Sequence, residues 1–201
     1  MSVVVAVKEG NKVFVGADSQ VTSGGTRTTL KNPNNFKIWK VGETKNCLMA
    51  HVGHVREANV IRLLDIVDEY DVYKNRIGYQ YVVKKVIPAI LRGLEDARII
   101  KSGEIVEVME SSYLFIYKNH LFHIASDLSV IEVEDYVAIG SGSNQAIGSL
   151  LSTEGEKPKE RIIKAIKASA ASDIYVDYPI IITDSGSCEF EIISEGEQPQ
   201  K

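Results

Sequence analysis

The sequence predicts an α+β fold: a four-layer α-β-β-α sandwich, with two antiparallel sheets face to face and a helix pair over each outer face. Three observations carry this reading. Apolar runs of strand length come as neighbours joined by short turn signals, so their strands pair antiparallel. Helical stripes arrive in pairs between the strand blocks. Two facing sheets covered by two helix pairs would bury every one of those stripes. Periodicity alone leaves a two-layer α+β arrangement open, because that fold gives a similar string.

The elements follow in order. Residues 2–8 and 12–18 are apolar runs joined by Glu9-Gly10-Asn11, a hairpin signal. Residues 35–41 and 46–52 read as a second hairpin around Gly42-Glu43. From 54 to 70 the period changes, and Val55, Ala58, Ile61, Leu64 and Val67 step along one helical face. Val83, Val86, Ile87, Ile90, Leu91, Leu94 and Ala97 form the stripe of a second helix. Pro88 falls inside it, so that helix starts late or kinks there. Strand patterns return at 112–118, 120–125, 128–133 and 136–140. Gly140-Ser141-Gly142-Ser143 then leads into a helix with Ala146, Ile147, Leu150 and Leu151 on its core side. Pro158 opens another, at a favoured first-turn position, and Ile162, Ile163, Ile166 and Ala170 continue its stripe. The last 30 or so residues alternate as strands and end in a polar tail, Glu195 to Lys201, expected to fray.

Composition narrows the function. At 201 residues the chain is expected to form one domain, 1–201, with a full core. A net charge of −4 argues against a nucleic-acid partner. Cys47 and Cys188 are too few for a disulfide framework and favour a reducing compartment. No apolar run is long enough to cross a membrane, and without a secretory leader the expected address is the cytoplasm. Met1-Ser2 is followed at once by Val3-Val4-Val5-Ala6-Val7, so the chain starts inside a strand. Ser2 is small, the kind of second residue that lets an initiator methionine be trimmed. Trimming would leave a serine carrying its own free α-amine: a hydroxyl nucleophile beside a base, suited to peptide-bond chemistry.

Four segments carry a resemblance. Gly16-Ala17-Asp18-Ser19-Gln20-Val21-Thr22-Ser23-Gly24-Gly25-Thr26, Phe36-Lys37-Ile38-Trp39-Lys40-Val41, Tyr136-Val137-Ala138-Ile139-Gly140-Ser141-Gly142-Ser143 and Ala171-Ser172-Asp173-Ile174-Tyr175-Val176 occur in this order. With Ser2 at the start, they resemble the motifs of the proteasome β-subunit family of N-terminal-nucleophile hydrolases, and within it the bacterial HslV-type peptidase. The resemblance implies the four-layer fold and a peptidase acting on unfolded polypeptides. It implies a homo-oligomeric ring or double ring with an inner chamber, fed by an ATP-dependent unfoldase. It allows a carbonyl-coordinated monovalent cation near Ser172 to Tyr178; no other cofactor is expected.

The chemistry assigns the roles. An α-amine has a pKa of about 7.7–8.0, so it can take the serine proton directly or through one water. Lys37 would lower that pKa and Asp18 would hold the ammonium. Ser141 and Asp173 would orient the amine and the hydroxyl. The resemblance makes Thr22, Ala50 and His51 the expected substrate-binding positions, and backbone N–H groups would stabilise the oxyanion. Strand alternation puts Lys37 on the Trp39 side, partly buried.

The chain departs from the family pattern in several places. Serine replaces the usual threonine and loses the methyl that restrains χ1. The usual alanine-glycine pair falls in Leu48-Met49-Ala50-His51-Val52-Gly53-His54, where a side chain narrows the approach. About three extra residues lie around Lys31-Asn32-Pro33-Asn34. No metal site is expected. His120 and His123 face opposite sides of a strand, and His51 with His54 gives only two ligands. Two alternatives stand: a catalytically silent ring-forming protein that keeps Met1, and a relative acting on a small amide.

Overall fold

The computed structural model describes residues 2–42, 46–100 and 111–196. The tail from 197 onward and Glu43 of the second hairpin lie outside the described residues.

The first hairpin forms as expected. β1 (Val3–Glu9) pairs with β2 (Lys12–Ala17), closing at Glu9 opposite Lys12. Gly10 takes the left-handed φ of +57° that the two-residue turn requires. β3 (Gln20–Ser23) and β4 (Thr26–Thr29) form a small separate ribbon not anticipated from the sequence. β5 (Ile38–Lys40) follows a short 3₁₀ turn at Pro33–Asn35 and pairs with β6 (Cys47–Val52).

The expected helix over 54–70 is split. α1 (Val55–Ile61) ends early, and α2 (Glu69–Tyr73) starts afresh where the Asp68 carboxylate accepts from Tyr70 N at 2.7 Å. Leu64 still packs against the same core from the turn between them, seated on Gly93, where a Cβ would lie 2.5 Å from it. α3 (Tyr79–Tyr81) runs through a π turn at Val82–Val86 into α4 (Ile87–Asp96). Pro88 stands in the first turn of α4, so the wide turn lies just ahead of it, where a missing N–H disturbs regular bonding.

β7 (Ser112–Tyr117), β8 (His120–Ile124), β9 (Val130–Glu132) and β10 (Tyr136–Gly140) come next. α5 (Ser143–Ser152) and α6 (Pro158–Ala170) form the second helix pair, before β11 (Ile180–Asp184) and β12 (Glu191–Ile193). One sheet has the order β10-β1-β2-β11-β12, the other β5-β6-β7-β8-β9, with antiparallel neighbours throughout.

Three buried clusters separate four layers. Val4, Ala6, Val15, Leu48, Ala50 and Leu114 fill the space between the sheets. Val3, Val5 and Val7 turn the other way, onto Ala146, Leu150, Ile162 and Ile166 of α5 and α6. Trp39, Met49, Tyr113 and Phe115 meet Ala58, Ile61, Ile90 and Leu94 of the other helix group. β1 is apolar at successive positions because both of its faces are covered. Among the described residues no helix is long and apolar enough to cross a membrane.

α6 lies close on β2 at Gly16, where a Cβ would stand 2.4 Å from Ile162 Cγ2. Gly16→Ala is therefore expected to cost about 1–3 kcal/mol through overpacking. Combined with Ile162→Ala it should cost less than the two single changes added together. A urea-melt double-mutant cycle checks this, and strict additivity would show that the contact does not limit the packing.

Candidate active site

The site forms where strand ends from both sheets meet. In the first sheet Val3 lies opposite Gly140 and Val4 opposite Ala17, so Ser2, Asp18 and Ser141 fall at one end. In the second sheet His51 N donates to Lys37 O at 2.9 Å, just past the paired Ile38 and Ala50.

Ser2 is 5% exposed. Its backbone nitrogen donates to Ser141 Oγ at 3.1 Å, and its carbonyl accepts from Gly142 N at 3.3 Å. Gly140 makes this approach feasible: φ is +102°, and a Cβ there would lie 2.2 Å from Ser2 O. Gly142 is held from behind, with Ser169 Oγ of α6 donating to its carbonyl at 2.8 Å.

Asp18 and Lys37 form a buried ion pair. Lys37 Nζ donates to Asp18 Oδ1 at 2.7 Å and to Gln20 O at 2.6 Å. Asp18 Oδ1 also accepts from Val3 N at 2.9 Å, and Oδ2 from Gln20 N at 3.0 Å. The carboxylate partners an ammonium that burial alone would discharge. Burial pushes the Lys37 pKa below its ordinary value, against the opposing pull of Asp18. Lys37, expected to be partly buried, is 3% exposed.

A cleft of about 560 Å³ opens beside these groups. Ser2, Lys37, Thr22 and His51 line it, as do Gln20, Gly53, Arg56 and Arg62. Ala50 is not brought to the cleft. It is wholly buried between the sheets, because alternation along β6 sends Ala50 inward and its neighbour His51 the other way. Gly53 lines the cleft with a φ of +124°, and its N–H has no acceptor among the described residues. Gln20 also ties the cleft to the chain after α6, donating to Thr22 Oγ1 at 2.9 Å and to Ile174 O at 2.8 Å. Sequence reasoning missed Gln20 and Gly53, although both lie inside quoted segments. It missed Arg62 altogether.

Asp173 caps the turn after α6. Its N–H donates to Ser169 O at 2.8 Å, and its Oδ1 accepts from Tyr175 N at 2.9 Å. Oδ2 is buried with no partner among the described residues. Asp173 thus reaches the Ser141 turn through Ser169, and it does not line the cleft. In segment 172–178 the carbonyls of Asp173, Ile174 and Asp177 already accept N–H donors. Among the described residues no three His, Cys, Asp or Glu side chains cluster closely enough to hold a metal ion.

His51 is 6% exposed, lies between the rings of Trp39 and Tyr113, and finds no partner for either ring nitrogen. Burial, then the charges of Lys37 and Arg62, push its pKa from 6.5 down to about 3. The unfolded chain takes a proton below pH 6.5, but the folded chain resists until about pH 3. Stability should therefore be whole above that upper limit and fall with acidification by about 1.4 kcal/mol per pH unit from this residue. His51→Phe removes the titrating group. Urea melts between neutral and mildly acidic pH should show the variant gaining on the wild type as pH falls; parallel curves would contradict the assignment.

The sequence matches the proteasome subunit family over residues 2–177. It is 28% identical over 185 residues to the ATP-dependent protease subunit HslV of Caldicellulosiruptor saccharolyticus, covering 90% of this chain and 96% of that protein. The HslV subunit of Borrelia turicatae is 30% identical over 185 residues, with 90% and 95% covered. In fold the chain is similar to the Thiobacillus denitrificans BPH structure, with a TM-score of 0.65 at 17% identity, covering 96% of this chain and 99% of that one. It is also similar to HslV from Trypanosoma brucei, with a TM-score of 0.62 at 17% identity, 90% and 98% covered. With a family match that takes in Ser2, the Asp18–Lys37 pair, the Ser141 turn and Asp173, the chain belongs to the proteasome subunit family.

Proposed function

We propose that the chain, once Met1 is removed, is a serine-type N-terminal-nucleophile peptidase that cleaves unfolded polypeptides. The observation that carries this reading is the Ser2 nitrogen held by Ser141 Oγ at 3.1 Å, at the rim of a cleft it shares with the buried Lys37–Asp18 pair.

In the proposed reaction Ser2 Oγ attacks the peptide carbonyl carbon and its proton passes to the Ser2 α-amine. The C–N bond breaks, and the amine hands the proton to the leaving nitrogen. An ester to Ser2 remains. Water then attacks the ester carbonyl, gives up its proton through the same amine, and releases a carboxylic acid and free Ser2. The Lys37 charge keeps the α-amine unprotonated near neutrality. Asp18 offsets that charge enough for it to stay buried. The Gly53 N–H supports the oxyanion, since a backbone donor in a recessed cleft needs no reorganisation when charge develops. A monovalent cation held by Asp173 Oδ2 would satisfy its orphaned oxygen and stiffen the turn behind Ser141; no step passes through it.

The similar proteins named ATP-dependent protease subunits support assembly into a ring or double ring that receives chains from an ATP-driven unfoldase. Two cysteines left as free thiols suit a reducing compartment, and the cytoplasm is the proposed location.

The intact mass of the purified protein should lack one methionine. Hydrolysis of a fluorogenic peptide should fall by about a thousandfold or more in Ser2→Ala. A retained Met1 would overturn the mechanism and mark the chain as a silent ring subunit. Turnover by Ser2→Ala at the wild-type rate would remove Ser2 from the chemistry.

A further inference from the structure

Among the described residues, the cleft beside Ser2 is lined by Lys37, Arg56 and Arg62 and by no aspartate or glutamate. The three cations differ in how they are compensated. Lys37 is neutralised by Asp18 at 2.7 Å. Arg56 is exposed and donates to Ala97 O at 2.9 Å. Arg62 is held in place but uncompensated.

Arg62 follows directly on α1. Its Nη2 donates to Phe36 O at 2.6 Å, and its guanidinium lies 4.8 Å from the centre of the Trp39 ring. Nε and Nη1 are buried without an acceptor, and no carboxylate among the described residues comes within ion-pair distance. His51 also neighbours Trp39, ring centres 6.0 Å apart, with neither nitrogen bonded. A guanidinium anchored by one nitrogen and stacked on an indole has lost much of its conformational freedom. Its remaining donors form a planar fork that matches the two oxygens of a carboxylate. A neutral His51 adds one further donor without a second charge to desolvate. A neutral substrate side chain would leave the guanidinium charge unanswered, and a cationic one would be repelled.

We propose that Arg62 determines specificity by receiving the side-chain carboxylate of a glutamate or aspartate, so that cleavage by Ser2 follows acidic residues. This deepens the peptidase reading and rests on it for the cleavage step, while the carboxylate site stands on its own geometry.

The test uses three fluorogenic peptides that differ only in the residue before the scissile bond: Glu, Gln or Leu. The Glu peptide should exceed the Gln peptide in kcat/KM by about tenfold or more. Arg62→Met should erase that preference, chiefly through KM, while the Leu peptide stays within about twofold. Arg62→Lys should recover only part of it, since a point charge cannot make the forked contact. Equal rates on Glu and Gln peptides, or an equal loss on all three in Arg62→Met, would overturn the proposal.

Binding separates this proposal from the catalytic one. Trp39 is the sole tryptophan and lies beneath the guanidinium, so its fluorescence reports on the site. Peptides ending in a C-terminal amide, whose one carboxylate is the Glu side chain, should bind wild type more tightly than their Gln counterparts. They should lose that advantage in Arg62→Met. Equal affinities would sink the carboxylate site whether or not the peptides are cut. Selective binding without cleavage would keep the site and refute the nucleophile.

Discussion

The buried ion pair between Lys37 and Asp18 is the constraint on which the site depends. It joins the two sheets at their shared end. Asp18 follows β2 and Lys37 precedes β5. A lone charge in either position would face a desolvation penalty of several kcal/mol. The surrounding backbone is organised to prevent that. Val3 N and Gln20 N both turn to the carboxylate, and Gln20 O turns to the ammonium. Because Val3 is bound so directly, the residue before it has little freedom. The electrostatics of the pair and the placement of Ser2 are therefore a single feature.

The other side of Ser2 is fixed by sterics. Gly140 ends β10 in a conformation that brings its Cα against the Ser2 carbonyl, and Gly142 presses on Ser169 of α6. The turn that carries Ser141 is thus gripped between β1 and the helix layer. Peptide hydrolysis by a residue's own terminal amine needs that residue held in one orientation. Here the hold comes from a hydrogen-bonded carboxylate on one side and two close-packed glycines on the other.

Much of this is legible in the sequence, and the rest fails for identifiable reasons. β1 reads as a continuous apolar run because helices cover one face and the second sheet the other. α6 shows a clean stripe and Pro158 marks a true first turn, whereas in α5 Ala146 and Leu150 are buried but Ile147 and Leu151, expected on the core side, are exposed. The β3–β4 ribbon escapes periodicity because most of its residues are exposed and carry no apolar alternation, though four threonines hint at strand preference. The break after Ile61 escapes because Leu64 and Val67 continue the stripe into a turn. Ala50 and His51 show the sensitivity of strands to parity: one step along β6 separates the inter-sheet core from the cleft. Arg62 is invisible to motif reading because its place is set by a carbonyl 26 positions away and by an indole across the layer.

The cleft holds two cations with opposite fates, a buried Lys37 and a half-buried Arg62, and the contrast suits the two roles proposed for this recess. The charge on Lys37 is matched inside the protein by Asp18, although it still acts on the nearby His51 ring. The charge on Arg62 has no internal partner, so its field extends into the space a substrate side chain would fill. A low-dielectric wall strengthens both effects. Neutralising one cation allows the other to stay unpaired. In the proposed reaction, that leaves Lys37 to promote attack by Ser2 and Arg62 to select what is attacked.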